Sequence, residues 1–176
     1  MAGSIEKIDL WAEHKQLYTP SAKEPSLVKV PPFPYLLVDG QGDPGSVPEF
    51  GEAIHALYPL TFTLKFGLKK RKGVDFRLMP LSGFYYADDP VAFLEGRKVE
   101  WKWTLGIPLP AVVTAADFRQ ALAEAKAKKN ASPALDRVRR EVVREGLCVQ
   151  ILHYGPYAKE RQKIQALHAF MKEKGL

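Results

Sequence analysis

Glu160 is the residue hardest to account for by surface chemistry alone. It precedes Ile164, Leu167 and Met171 by four, seven and eleven residues, which aligns it with the apolar stripe of a helix expected from about Tyr157 to Lys174. A carboxylate facing a core costs several kcal/mol unless a cation pairs with it or a functional cavity surrounds it. In a cavity it could neutralise a cationic ligand or take a proton from water as a general base. The plain alternative is a first-turn glutamate favoured by the helix dipole and paired with Arg161 or Lys163. Aromatic residues supply candidate cavity walls: Tyr58, Phe62 and Phe66 on one helix, Phe84, Tyr85 and Tyr86 on one strand, Trp101 and Trp103 on another. Aromatic faces stack flat ligands and attract cations. Trp101 and Trp103 serve equally well as plain core, and because Tyr85 and Tyr86 point to opposite faces of a strand, only one of them can line a given cavity.

Other chemistries find little support. His153 shares a strand face with Val149 and Ile151 just before a turn, where it can titrate or simply be satisfied by a hydrogen bond. The histidines, His14, His55, His153 and His168, lack metal-ligand spacing, and the single cysteine, Cys148, has no basic neighbour or helix start to activate it. No cofactor is expected. Ser82-Gly83 does not belong to a nucleophile elbow, and Gly40-Gln41-Gly42 lacks the remaining positions of a phosphate-binding loop.

These residues must be held by a folded core. The 176 residues are 46% apolar and 26% charged, an ordinary globular composition. A net charge of +6 and a pI near 9.3 raise the question of anionic partners. The basic clusters, Lys69 to Lys72, Lys126 to Lys129 and Arg137 to Arg144, nevertheless fall on expected solvent faces and helix ends without a nucleic-acid motif, so nucleic-acid binding is not expected. With no apolar run long enough to span a bilayer, no hydrophobic signal core and one cysteine, a cytoplasmic location away from membranes is expected.

Residues 1–34 form an N-terminal arm, extended by five prolines between positions 19 and 34. A buried strand follows at Tyr35 to Val38, then a glycine-rich loop. From Pro48 a helical stripe of Phe50, Ile54, Leu57, Thr61, Leu64 and Leu68 is expected to kink or break at Pro59 and to end at Gly73. Short strands are expected at Phe76–Leu81 and Phe84–Tyr86. A period-2 strand runs from Arg97 to Ile107, with Val99, Trp101, Trp103, Leu105 and Ile107 inward. Thr114 caps a helix bearing Phe118, Ala121, Leu122 and Ala125. Ser132-Pro133 opens another with Leu135, Val138 and Val142, and Leu147–His153 is the last strand. The result is an α+β domain at 35–176, with modules at about 35–95 and 96–176.

Several segments resemble the GyrI-like small-molecule-binding proteins, relatives of the effector-binding domains of multidrug-responsive transcription activators. They are Tyr35-Leu36 with Asp39-Gly40 and Gly42-Asp43-Pro44, Ala56-Leu57-Tyr58, Leu64-Lys65-Phe66, Met79-Pro80-Leu81, and Trp101 with Trp103-Thr104-Leu105. The most specific is Glu145 to His153 followed by Gly155-Pro156-Tyr157. The resemblance implies a pseudo-twofold pair of strand-helix-strand-strand (SHS2) modules around an aromatic cleft with a buried glutamate. It aligns Glu160 with that acid and places Tyr58, Phe66, Tyr85, Trp101 and Trp103 in the cleft, with Tyr86, His153 and Tyr157 as further lining candidates. The chain departs from the family in having Tyr85-Tyr86 where a tryptophan pair is common and Arg161 where proline usually follows the acid. It also stops at Gly175-Leu176, where the family generally continues into another strand, so this member is either shorter or lacks its tail.

By resemblance, the expected activity is broad-specificity binding and sequestration of bulky aromatic, preferentially cationic, compounds. The alternative is a hydrolase that opens cyclopropane rings of DNA-alkylating natural products with Glu160 as general base.

Overall fold

A proline at its first turn and a left-handed glycine just past its end bracket the longest helix of the chain, Pro48–Lys72 capped by Gly73 at φ 66°. In the computed structural model, which describes residues 4–89 and 91–176, the elements run in chain order as follows. Strand β1 (Glu6–Ile8) precedes the short helices α1 (Leu10–Glu13) and α2 (Lys15–Tyr18), strands β2 (Ser26–Val30) and β3 (Phe33–Gln41), and helix α3 (Pro48–Lys72). Then come β4 (Val74–Phe76), β5 (Ser82–Tyr86), α4 (Val91–Leu94), β6 (Lys102–Pro108), α5 (Ala115–Lys126), β7 (Arg139–Val143), β8 (Gly146–Gln150) and α6 (Arg161–Lys174). The fold is α+β, and among the described residues no helix is long and apolar enough to cross a membrane.

The chain divides into two compact units. The first joins the residues up to Asp9 to Phe33–Val143, and the second joins Leu10–Pro32 to Arg144–Leu176. In the first, an antiparallel sheet of order β5-β6-β3-β7 lies against α3. Register pairs Val38 with Leu105 and Leu36 with Ile107, so these side chains share one face and pack with Leu57, Leu60, Leu64 and Leu68 of α3. β1 and β4 add a short parallel pair. In the second unit, β2 pairs antiparallel with β8, and α6 buries no residue completely. The proline-rich stretch is extended as expected, with Ser26–Val30 recruited as a strand.

Six expectations on local structure need correction. Helix α3 runs unbroken through Pro59. The carbonyl left without its amide is that of His55, and both residues are exposed, so that carbonyl faces solvent while the leucine stripe opposite holds the helix together. Ser132-Pro133 opens only a 3-10 turn, Pro133–Arg137, and Val142 lies in β7, where β3 offers an open edge and the β-branched Val142 and Val143 fit a ladder. The tryptophan strand starts at Lys102 because Lys98–Glu100 forms a 3-10 turn, leaving Val99 73% exposed. Finally, a 3-10 turn at Tyr157–Lys159 delays α6 to Arg161. The strand expected at Phe76–Leu81 likewise ends at Phe76, and β8 ends at Gln150.

Candidate functional site: an exposed aromatic cluster

In the first unit, one aromatic group is assembled from three stretches of chain. Tyr85 lies opposite Trp103 in the β5–β6 ladder, hence on the face of Trp103, Leu105 and Ile107, whereas Tyr86 lies opposite Lys102 on the other face. Gly83 makes room for Tyr85, since a Cβ there would stand 2.7 Å from the tyrosine ring. Trp101, half-buried just ahead of β6, meets the Tyr85 ring edge-on at 6.1 Å and the Phe93 ring at 5.1 Å. Its indole N–H points at the Ala92 carbonyl across 3.5 Å, and the Lys98 ammonium stands 5.8 Å from its ring centroid. Tyr85, Tyr86 and Phe93 each remain at least a third exposed.

The loop carrying Phe93 is held by one cation. The Arg97 guanidinium donates hydrogen bonds to Asp89 and Glu100 (2.6 Å) and forms an ion pair with Glu95 (2.7 Å), which ties both ends of residues 89–100 together. Phe93 lies in the four-residue helix α4 and Lys98 in a 3-10 turn, both too short to leave a periodic pattern; the available signals in the sequence are the apolar Val91 and Phe93 and a lysine three residues before Trp101.

The remaining candidates of this unit are placed differently. Trp103 is fully buried against Phe50 with rings 5.1 Å apart. Tyr58 is half-buried against the same core. Phe66, 60% exposed, stacks with Phe62 on the outer side of α3 rather than with Trp101.

The second unit holds His153, Tyr157 and Glu160. The His153 Nε2–H donates to the Pro156 carbonyl at 3.0 Å, and Tyr157 is exposed. Glu160 is half-buried where the 3-10 turn passes into α6, and its carbonyl accepts the amides of Lys163 and Ile164. Its carboxylate has no ion pair or hydrogen bond among the described residues, and Lys163 turns instead to the Ala22 carbonyl. A titratable group to which the sequence assigns no chemistry, Glu145, lies in the same unit. Desolvation pushes the Glu145 carboxyl above its ordinary range, while burial, then the Glu145 charge, pushes up the Tyr18 phenol and the Cys148 thiol. Cys148 therefore lacks the thiolate character of a nucleophile.

Among the described residues no group of three His, Cys, Asp or Glu could hold a metal ion. No protein-family model matches the chain, and no curated protein matches it. Solved structures do. An uncharacterized conserved protein from Listeria innocua is 31% identical over 96% of this chain and 82% of its own, with a TM-score of 0.85. Two structures described as hydrolases from Listeria innocua are also 31% identical, cover 96% and 97% of this chain and 81% and 82% of theirs, and score 0.81 and 0.83. The chain belongs to the family of these Listeria proteins. Within that family it spans about four-fifths of each relative's length.

Proposed function

We propose that the protein binds bulky, flat, preferentially cationic small molecules on the Tyr85–Trp101–Phe93 cluster. The carrying observation is that Trp101, with rings braced against it, already has the Lys98 ammonium near its ring. A ligand cation can take that place, because Lys98 has Asp43 within 3.7 Å as an alternative partner. Glu160, in the second unit, matches the acid of the GyrI-like proteins through the resemblance, and its half-buried carboxylate, unpaired among the described residues, supports a role of its own toward a cation. The element order β3–α3–β4–β5 followed by β6–α5–β7–β8 supports the two SHS2 modules that the resemblance implies.

Fluorescence titration with a planar cationic dye and its neutral analogue tests this reading. The cation binds more tightly, and Trp101→Ala weakens it by roughly thirtyfold, the equivalent of about 2 kcal/mol for a desolvated cation–π contact. Unchanged affinity in Trp101→Ala would refute the site, and an unchanged cation preference in Glu160→Gln would remove that residue's role.

The second reading, a hydrolase, is favoured by the description of two relatives at 31% identity. Here Glu160 takes a proton from water as its oxygen attacks a strained cyclopropane carbon; the ring C–C bond breaks and its electron pair moves to a conjugated oxygen. Incubation with a cyclopropane-bearing alkylator in 18O-labelled water distinguishes the readings. A ring-opened, labelled product lost in Glu160→Gln supports turnover, and its absence with the wild-type protein leaves binding alone.

A further inference from the structure

The outer side of α3 carries a feature that neither reading uses. Phe62 and Phe66, 42% and 60% exposed, lie nearly parallel, with 18° between planes and centroids 6.2 Å apart. They form the apolar part of a groove of about 620 Å³ between α3 and α5, within the size range of small-molecule sites. Three cations reach the same groove: Lys70 and Arg71 from the next turn of α3, and Lys128 just past the end of α5. Glu124 is the one carboxylate among its lining residues, so positive charge is in excess by two.

Two of these cations are held in place by devices that serve no evident packing purpose. Lys128 donates to the Thr63 hydroxyl at 3.0 Å, which itself donates to the Pro59 carbonyl at 2.9 Å, so the ammonium is fixed across the groove. Arg71 lies over Gly67, where a Cβ would stand 2.8 Å from its Nη1. A glycine in the interior of a 25-residue helix weakens that helix, and here it seats a guanidinium. Arg71 stands 3.7 Å from Glu124 and 3.8 Å from Asp117, beyond hydrogen-bond distance, so its N–H groups can turn to an anion without breaking a hydrogen bond to either.

We propose that the α3–α5 groove is a second ligand site, for a planar aromatic molecule bearing a carboxylate, sulfonate or phosphate. The ring lies against Phe62 and Phe66, and the anionic group meets Lys70, Arg71 and Lys128. Its charge preference is opposite to that of the Trp101 cluster, and it does not depend on that assignment.

The probe is 8-anilinonaphthalene-1-sulfonate, titrated by fluorescence against the uncharged N-phenyl-1-naphthylamine. Saturable one-to-one binding of the sulfonate, weakening with added salt and preferred over the neutral amine, is expected. Lys70→Glu and Phe66→Ser should each weaken it by roughly tenfold, the scale of one charge-assisted or stacking contact. Both positions are exposed, so the fold is not at stake. Trp101→Ala should leave sulfonate binding unchanged, which separates failure of this site from failure of the cation-binding one. Equal binding of the neutral amine, or sulfonate affinity unchanged in Lys70→Glu and Phe66→Ser, would overturn the proposal.

Discussion

A Gly40→Ala variant is expected to lose about 3 kcal/mol of stability, at the upper end of what overpacking a core ordinarily costs. Gly40 lies opposite Trp103 in the β3–β6 ladder, and the six-membered ring of the indole lies across its Cα. An added Cβ would stand 2.0 Å from Cη2 and 2.2 Å from Cζ2, distances that no rotation of a methyl group relieves. The ring has nowhere to retreat, being fully buried with Phe50 edge-on to it. Urea denaturation should show a lower midpoint at an unchanged m-value. If the indole is the cause, the two positions are coupled, and most of the penalty disappears in a Trp103→Leu background; strictly additive losses would contradict the mechanism. The same pair bears on ligand binding. The Trp103 Nε1–H has no hydrogen-bond partner among the described residues, so its contribution is packing. Trp103→Leu should therefore lower stability and leave dye affinity intact. A selective loss of affinity would return Trp103 to the ligand-lining role that the resemblance gives it.

What could be read from the residues was mostly what local chemistry enforces. Thr114 with Asp117 forms the full capping box of α5, and Pro48 and Gly73 bracket α3 as their backbone preferences require. Leu135, Val138 and Val142 misled because their spacing suits a helix, while the partner that makes residues 139–143 a strand, β3, is about a hundred positions away. Glu160 shows the limit of a stripe argument. Leu167 and Met171 are half-buried, but Ile164 is 41% exposed and α6 has no fully buried face for the carboxylate to share. Tyr85 and Trp101 are both candidates from the sequence, and cross-strand register, which sets Tyr85 opposite Trp103 two residues beyond Trp101, accounts for their meeting. Phe93 and Lys98 depend on a loop fixed by three ion pairs to Arg97, and no periodicity encodes that. The net positive charge also takes on a more specific meaning. Part of it converges on the α3–α5 groove, although each basic residue there looks in sequence like an ordinary helix-end cation.

The acid limb of the stability curve should be controlled in large part by Asp117. This carboxylate is buried at the first turn of α5, accepting the Thr114 amide at 2.9 Å and hydroxyl at 2.6 Å, and Lys72 at the last turn of α3 donates to it at 2.6 Å. A negative group at a helix start thus meets a positive group at a helix end, the arrangement that both macrodipoles favour. Burial by itself would push the Asp117 pKa up, but the bonds from Lys72 and Thr114 outweigh it and bring the group from 3.8 down to about 2. Because the folded value is the lower one, the stabilisation is fully present above the unfolded pKa and is lost as pH falls from about 4 through about 2; by linkage it amounts to about 2 kcal/mol. Asp117→Asn should remove most of it at pH 7. Urea midpoints measured down the pH scale should then show the wild-type and variant curves approaching each other below about pH 4 and converging only near pH 2, whereas a gap independent of pH would mean that packing, not charge, is what the substitution removes. Arg71 extends the argument to the groove. With Asp117 neutral, the guanidinium 3.8 Å away loses a competing anion, so sulfonate affinity in Asp117→Asn should rise even as the fold weakens. A stability loss acting alone would move both in the same direction.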